Sequence, residues 1–195
     1  MQSGAVNHDI ATIEYFTPEE IQQIVQWFFT RRDNKHRFER DRYFLLMKVL
    51  LRTGARKSEV LFLKPADFDI YNNTVQLITL KRKKKDNPIR TIPLHSDLKD
   101  TLSTYLLTYP NRIEKGKRMF PMSPTTVSQF FQDMGKDLGF NIYPHKFRHT
   151  FAVNALMNNV PLNVIQKWLG HSSIFTTSIY TELGSVDTQK WMSQL

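Results

Sequence analysis

The chain has 195 residues, 41% hydrophobic and 23% charged, enough to bury one substantial core, so one compact domain is the simplest organisation, with two small ones as the alternative. Lys and Arg number 27 against 18 Asp and Glu, a formal charge of +9 that favours a polyanionic partner, and the absence of cysteine excludes disulfide staples, thiolate zinc sites and a thiol nucleophile together. No stretch approaches the roughly 18 to 20 apolar residues that span a bilayer, and the opening MQSGAVNHD lacks the apolar stretch of a secretory leader, so no membrane is expected and the expected location is the cytoplasm, in association with the nucleoid.

Residues 1–16 read as a flexible arm or linker. Thr17-Pro18-Glu19-Glu20 then combines a capping hydroxyl, a proline in the first turn and a glutamate that can close a capping box, and Ile21, Ile24, Val25, Phe28 and Phe29 continue it at helical spacing. A second helix is expected over Tyr43 to Leu51, closing near Gly54, and a third over Lys57 to Leu63, stopping at Lys64-Pro65. The period then changes. Phe68 and Ile70, then Val75, Leu77 and Ile78, flank the turn-like Tyr71-Asn72-Asn73, and Ile89, Ile92 and Leu94 follow a lysine-rich loop, which predicts a small three-stranded antiparallel sheet. Helical patterning returns over Leu98 to Tyr109, Pro124 to Leu138, Tyr143 to Asn158 and Pro161 to Leu169, with short helices expected at Ser173 to Tyr180 and Val186 to Met192. The fold class is α+β, mostly helical with one small sheet.

Three runs concentrate the basic charge: Arg31, Arg32, Lys35, Arg37, Arg40 and Arg42; Lys81, Arg82, Lys83, Lys84, Lys85 and Arg90; and Arg112, Lys115, Lys117 and Arg118. Three such runs in one domain suit phosphate contacts better than a merely solvated surface.

Polar groups able to do chemistry cluster in three places. His145 and Arg148 are three apart and share a helical face, while Phe147, Phe151, Ala152, Ala155 and Leu156 fall largely on the other. Alone, the pair is better explained by His145 capping the helix and Arg148 meeting a surface carboxylate. Leu169-Gly170-His171 ends a helix, and Tyr180 follows nine residues later, where a half-buried core tyrosine would be ordinary. Arg56 begins a helix straight after the Gly54 turn, with Glu59 one turn on, either orienting its guanidinium or forming a plain surface pair of little worth. His145 and His171 have no third ligand at a recognisable zinc spacing, and arginines beside them oppose a cation; with no G-x-x-x-x-G-K-[ST] loop either, no metal and no cofactor are expected.

In this order, TGARKSEVLFL around Arg56, a hairpin lysine ahead of IRTIPL, HKFRHTFA around His145 and Arg148, LGHSS around His171 and TTSIY ending at Tyr180 resemble the catalytic domain of the tyrosine recombinases, the phage-integrase and Xer-like family of site-specific DNA recombinases. The resemblance runs from about Thr17 to the C-terminus and implies a catalytic domain over residues 17–195, with the family's N-terminal core-binding domain, which completes a C-shaped clamp on DNA, absent. It implies that Tyr180 attacks the scissile phosphate, leaving a 3′-phosphotyrosyl bond and a free 5′-hydroxyl. Arg56 and Arg148 would hold the nonbridging oxygens, because a pentavalent transition state gathers negative charge there that forked guanidiniums complement, and His171 would add a third donor. Lys81 would be the general acid toward the 5′-oxygen, with Lys83, Lys84 and Lys85 as rivals; His145 would exchange a proton with Tyr180; Glu59 would fix Arg56 from behind; His149 would be structural. Arg82, Lys83, Lys84 and Lys85 become DNA-backbone contacts. Double-stranded DNA is the implied partner, and the segment Val186 to Met192, with Trp191, would dock on a neighbour to build a homotetramer on two DNA sites. A DNA-relaxing type IB topoisomerase and a non-catalytic DNA-binding module share parts of this pattern.

Overall fold

Thr17 opens the first described helix as its hydroxyl allows: the Glu20 N–H donates to Thr17 Oγ1 at 3.2 Å and the Thr17 N–H donates to Glu20 Oε2 at 3.0 Å, a reciprocal capping box. The structure, a computed structural model, describes residues 14–30, 36–80, 88–114 and 116–170. Helix α1 spans Pro18–Thr30 and buries Ile24 and Phe28.

Helix α2 spans Arg37–Thr53 and so begins well before the expected Tyr43. Its extra turns carry no apolar period to read in the sequence; they are held by Phe38, which stacks on Tyr105 and meets Tyr109 edge-on, and by local ion pairs of Arg37 and Arg40 with Asp41 and of Arg42 with Glu39. These three arginines therefore meet carboxylates on their own helix, where the first basic run had suggested phosphate contacts; Arg31, Arg32 and Lys35 lie outside the described residues. Leu45 to Leu51 are all buried, which makes α2 the central helix of the core.

Helix α3 is Lys57–Val60 alone rather than a helix to Leu63. The Phe62 and Leu63 N–H groups bond three residues back to Glu59 and Val60, tightening the turn, and the Leu63 carbonyl accepts from Met119 N–H at 2.9 Å instead of continuing a helix. A 3₁₀ turn at Pro65–Asp67 leads into the sheet.

Strands β1 (Phe68–Asp69), β2 (Thr74–Ile78) and β3 (Ile89–Pro93) form the expected antiparallel sheet in the order β1-β2-β3. Val75 faces Ile92, and Leu77 faces Arg90, all four pointing inward. Arg90 is thus not a solvent cation of the second basic run; strand alternation places it in the interior at 8% exposure.

Helices α4 (Ser96–Thr108), α5 (Pro124–Leu138), α6 (Pro144–Met157) and α7 (Leu162–Leu169) lie where the sequence periodicity puts them, to within two residues at each end. Helix α2 packs between α4 and α6; α7 packs on α6 and β3. A main apolar cluster surrounds α2, and a second one, of Ala152, Val153, Ile165 and Leu169, joins α6 to α7. Gly54 closes α2 in the left-handed region at φ 61°, and a Cβ there would sit 2.5 Å from Phe151 Cδ1 and 2.7 Å from Leu169 Cδ2. Glycine therefore allows α2, α6 and α7 to converge at one point. The helices expected at Ser173 to Tyr180 and Val186 to Met192 lie outside the described residues, within which no helix is long and apolar enough to cross a membrane.

Candidate active site

Arg148 stands at that convergence. It is 2% exposed, and its guanidinium bridges two helix ends: Nη1 donates to Gly54 O at 2.6 Å and Nη2 to Leu169 O at 2.8 Å. Both carbonyls belong to helix C-termini, whose last acceptors have no partner within the helix and whose dipole favours a cation. Neither the projecting head that sharing a face with His145 suggested nor a surface ion pair describes Arg148, since α6 is buried on nearly every side.

Arg56 is the residue before α3, and Glu59 holds it twice: Oε2 accepts the Arg56 N–H at 2.9 Å and Oε1 accepts Nη1 at 3.1 Å. The pairing is not a surface one, because the Glu59 side chain is 0% exposed whereas that of Arg56 is 36% exposed. Burial alone would raise the Glu59 pKa, but the hydrogen bond and charge of Arg90, with those of Arg56, outweigh it and hold the carboxyl below its usual range. Arg90 Nη2 donates to Glu59 Oε2 at 2.6 Å, Nη1 to Thr79 Oγ1 at 2.8 Å and Nε to Trp168 O at 2.7 Å. Two buried arginines thus bind successive carbonyls, Trp168 and Leu169, at the end of α7.

His145 and Arg56 line one cleft of about 300 Å³ with Ala55, Lys57, Ser58, Tyr143 and Pro144. The His145 ring stands edge-on to His149, centroids 4.5 Å apart, and Tyr143, not His145, occupies the N-cap of α6. One side of His145 stays open to solvent, yet burial of the rest, followed by the charges of His149, Arg148 and Arg56, pushes its pKa down to about 4. The imidazole is therefore neutral, and an available base, throughout the physiological range. Burial and Arg148 lower His149 as well.

An unfolded imidazole binds a proton near pH 6.5 and His145 in the fold only near pH 4, so between those values the unfolded state carries more protons. Stability is fully present above the upper value and is lost as the pH falls toward the lower one. His145→Gln is expected to flatten the acid-side decline of Tm across that window in thermal melts; an unchanged decline would contradict this placement of His145.

The structure brings together Arg56, Glu59, His145 and Arg148 of the residues singled out in the sequence. Lys81, Arg82, Lys83, Lys84, Lys85, His171 and Tyr180 lie outside the described residues. Arg90 is the residue of this buried network that sequence reasoning missed: counting charge placed it with the hairpin lysines, while its phase with Ile92 and Leu94 marked it as inward-facing. Among the described residues no group of three or more His, Asp or Glu side chains is arranged to hold a metal ion.

The result is a mostly helical domain with a three-stranded sheet, two buried arginines bound to helix-end carbonyls and a cleft that holds Arg56 and His145. The chain belongs to the phage integrase family, whose sequence profile matches residues 14–185. It is similar to the tyrosine recombinase XerA of Pyrococcus horikoshii, with 31% identity over 173 residues that cover 86% of this chain and 56% of that one. In fold it resembles the XerH site-specific recombinase bound to difH substrate in a pre-cleavage complex, at TM-score 0.69 and 23% identity over 89% of this chain and 52% of that one. It likewise resembles the catalytic domain of bacteriophage HP1 integrase, at TM-score 0.62 and 21% identity over 87% of this chain and 88% of that one. The chain spans about half the length of the curated relatives it matches.

Proposed function

We propose that residues 17–195 act as the catalytic domain of a site-specific DNA recombinase, with Phe16, expected in a flexible arm, instead buried in its core and donating its N–H to Thr150 Oγ1, and that the domain cleaves and rejoins strands of double-stranded DNA without metal or nucleotide cofactor. The observation that carries this is the meeting of Arg56 and neutral His145 in one cleft, with the buried Arg148 near enough for its charge to act on His145 and bound to the carbonyl before Gly170-His171. Tyr180 Oη attacks the scissile phosphorus while His145 takes its proton. Arg56, Arg148 and His171 stabilise the charge gathering on the nonbridging oxygens. As the bond from phosphorus to O5′ breaks, Lys81 delivers a proton to that oxygen, leaving a 3′-phosphotyrosine and a 5′-hydroxyl. One phosphodiester replaces another, so the return attack by an incoming 5′-hydroxyl needs no external energy source. Arg82, Lys83, Lys84 and Lys85 contact the DNA backbone beside it, and the charge of +9 suits work on nucleoid DNA in the cytoplasm.

The test is incubation with a nicked suicide duplex followed by a denaturing gel. A covalent protein–DNA band from the parent chain and none from Tyr180→Phe is expected; a band that persists in the variant would remove Tyr180 from its role.

Assembly is proposed to run through the C-terminal segment, Val186 to Met192 docking on a neighbouring protomer to close a homotetramer on two sites. Removing residues 185–195 is expected to leave a folded chain that sediments as a monomer on DNA. Loss of the fold in circular dichroism would instead make that segment part of its own core.

A further inference from the structure

Arg90 is a charged side chain buried at a place where no surface ion pair or DNA contact explains it. Its exposure is 8%, and its three donor directions are used in three ways: Glu59 on α3, Thr79 just beyond β2 and the Trp168 carbonyl on α7. Gly170, at φ 64°, packs flat on it, since a Cβ there would lie 3.2 Å from Nη1 and 3.3 Å from Cζ. Burying an ion pair is rarely a gain in stability over apolar packing, so what this arrangement provides is direction. A lysine, a point charge with rotatable donors, has no fork to reach three elements at once.

The charge arrangement matters for Arg56. Were Glu59 to face Arg56 alone, the two charges would cancel, and the guanidinium would meet a phosphate as a neutral pair. With Arg90 on the other side, sharing Oε2 at 2.6 Å, the carboxylate lies between two cations and the trio keeps one net positive charge. Glu59 then positions Arg56 without neutralising it.

We infer that Arg90 is a positioning residue of the active site, fixing Glu59, and through it Arg56, against the ends of β2 and α7. This rests on the recombinase reading above. It differs from a structural role in one respect: the defect of an Arg90 variant follows the charge on the phosphate.

The experiment compares single-turnover adduct formation on two suicide duplexes, one with the natural scissile phosphodiester and one with a neutral methylphosphonate there, each diastereomer separately. The proteins are the full parent chain, Arg56→Ala and Arg90→Lys, with circular dichroism to confirm folding and Glu59→Gln as the substitute should Arg90→Lys fail to fold. Without the nonbridging charge the reaction depends less on Arg56. Arg90→Lys is expected to lose about tenfold to a hundredfold on the phosphodiester, as small misplacements of a catalytic group do, and to recover on at least one methylphosphonate in parallel with Arg56→Ala. Equal losses on both substrates, or no loss on the phosphodiester, overturn the role of Arg90 alone. A parent chain that forms no adduct on any duplex overturns the recombinase reading and the role of Arg90 together.

Discussion

Arg148→Lys is expected to slow adduct formation by about 10²- to 10³-fold, the cost of losing one preorganised donor at a developing oxyanion. The wild-type guanidinium reaches Gly54 O and Leu169 O in different directions from one plane. An ammonium keeps the charge but lacks the planar fork that reaches both carbonyls from two nitrogens, and a buried acceptor left unpaired costs about 1 to 3 kcal/mol. The lysine head is then drawn toward whichever helix end it serves, and the end of α7, which leads into His171, is held by Arg90 on Trp168 O alone when that end is Gly54. Kinetics and stability should therefore fall together, with kinetics falling further. Single-turnover rates on a suicide duplex, read beside chemical denaturation, separate the two: a loss smaller than about tenfold in a folded variant would be too little for a group on a nonbridging oxygen.

Gly54→Ala is expected to destabilise the fold by about 2 to 5 kcal/mol, summing the left-handed conformation, which costs a residue with a side chain about 1 to 2 kcal/mol, and overpacking, at about 1 to 3 kcal/mol. The new methyl would lie 2.5 Å from Phe151 Cδ1 and 2.7 Å from Leu169 Cδ2, so the Phe151 ring on α6 and the Leu169 side chain on α7 must both give way. A shift that carries the backbone of α6 or α7 with it strains the bonds from Arg148 to Gly54 O and Leu169 O. A glycine that closes a helix thus also sets the distance between the two helix ends an arginine bridges. Urea denaturation of parent and variant measures the change; a difference under about 1 kcal/mol would show that the convergence yields without strain.

The order of elements was legible because the periods are clean: α5 begins at Pro124 after the Ser123 cap, whose Oγ accepts the Thr126 N–H at 3.0 Å, and runs to Leu138 before Gly139, as its pattern predicts. What misled was local. The first turns of α2 are polar and gain their hold from Phe38 against Tyr105 and Tyr109, two residues far away in the chain. α3 looks longer than it is because Leu61 and Leu63 are buried by a turn rather than a helix. At the site, residue types at motif spacing pointed to Arg56, Glu59, His145 and Arg148, yet spacing alone left Arg148 as a projecting head. Its depth follows from helix ends meeting at Gly54, which is a tertiary fact. Arg90 could have been separated from the lysines by its strand phase, had phase been weighed above charge.

In the proposed reaction the tyrosine near the C-terminus carries the bond between protein and DNA. Digesting the adduct formed on a suicide duplex and identifying the nucleotide-bearing peptide by mass spectrometry tests it most directly. The expected product is a 3′-phosphate linked to Tyr180 Oη, with a free 5′-hydroxyl on the released strand. A linkage to any other side chain, or to a 5′-phosphate, would contradict it.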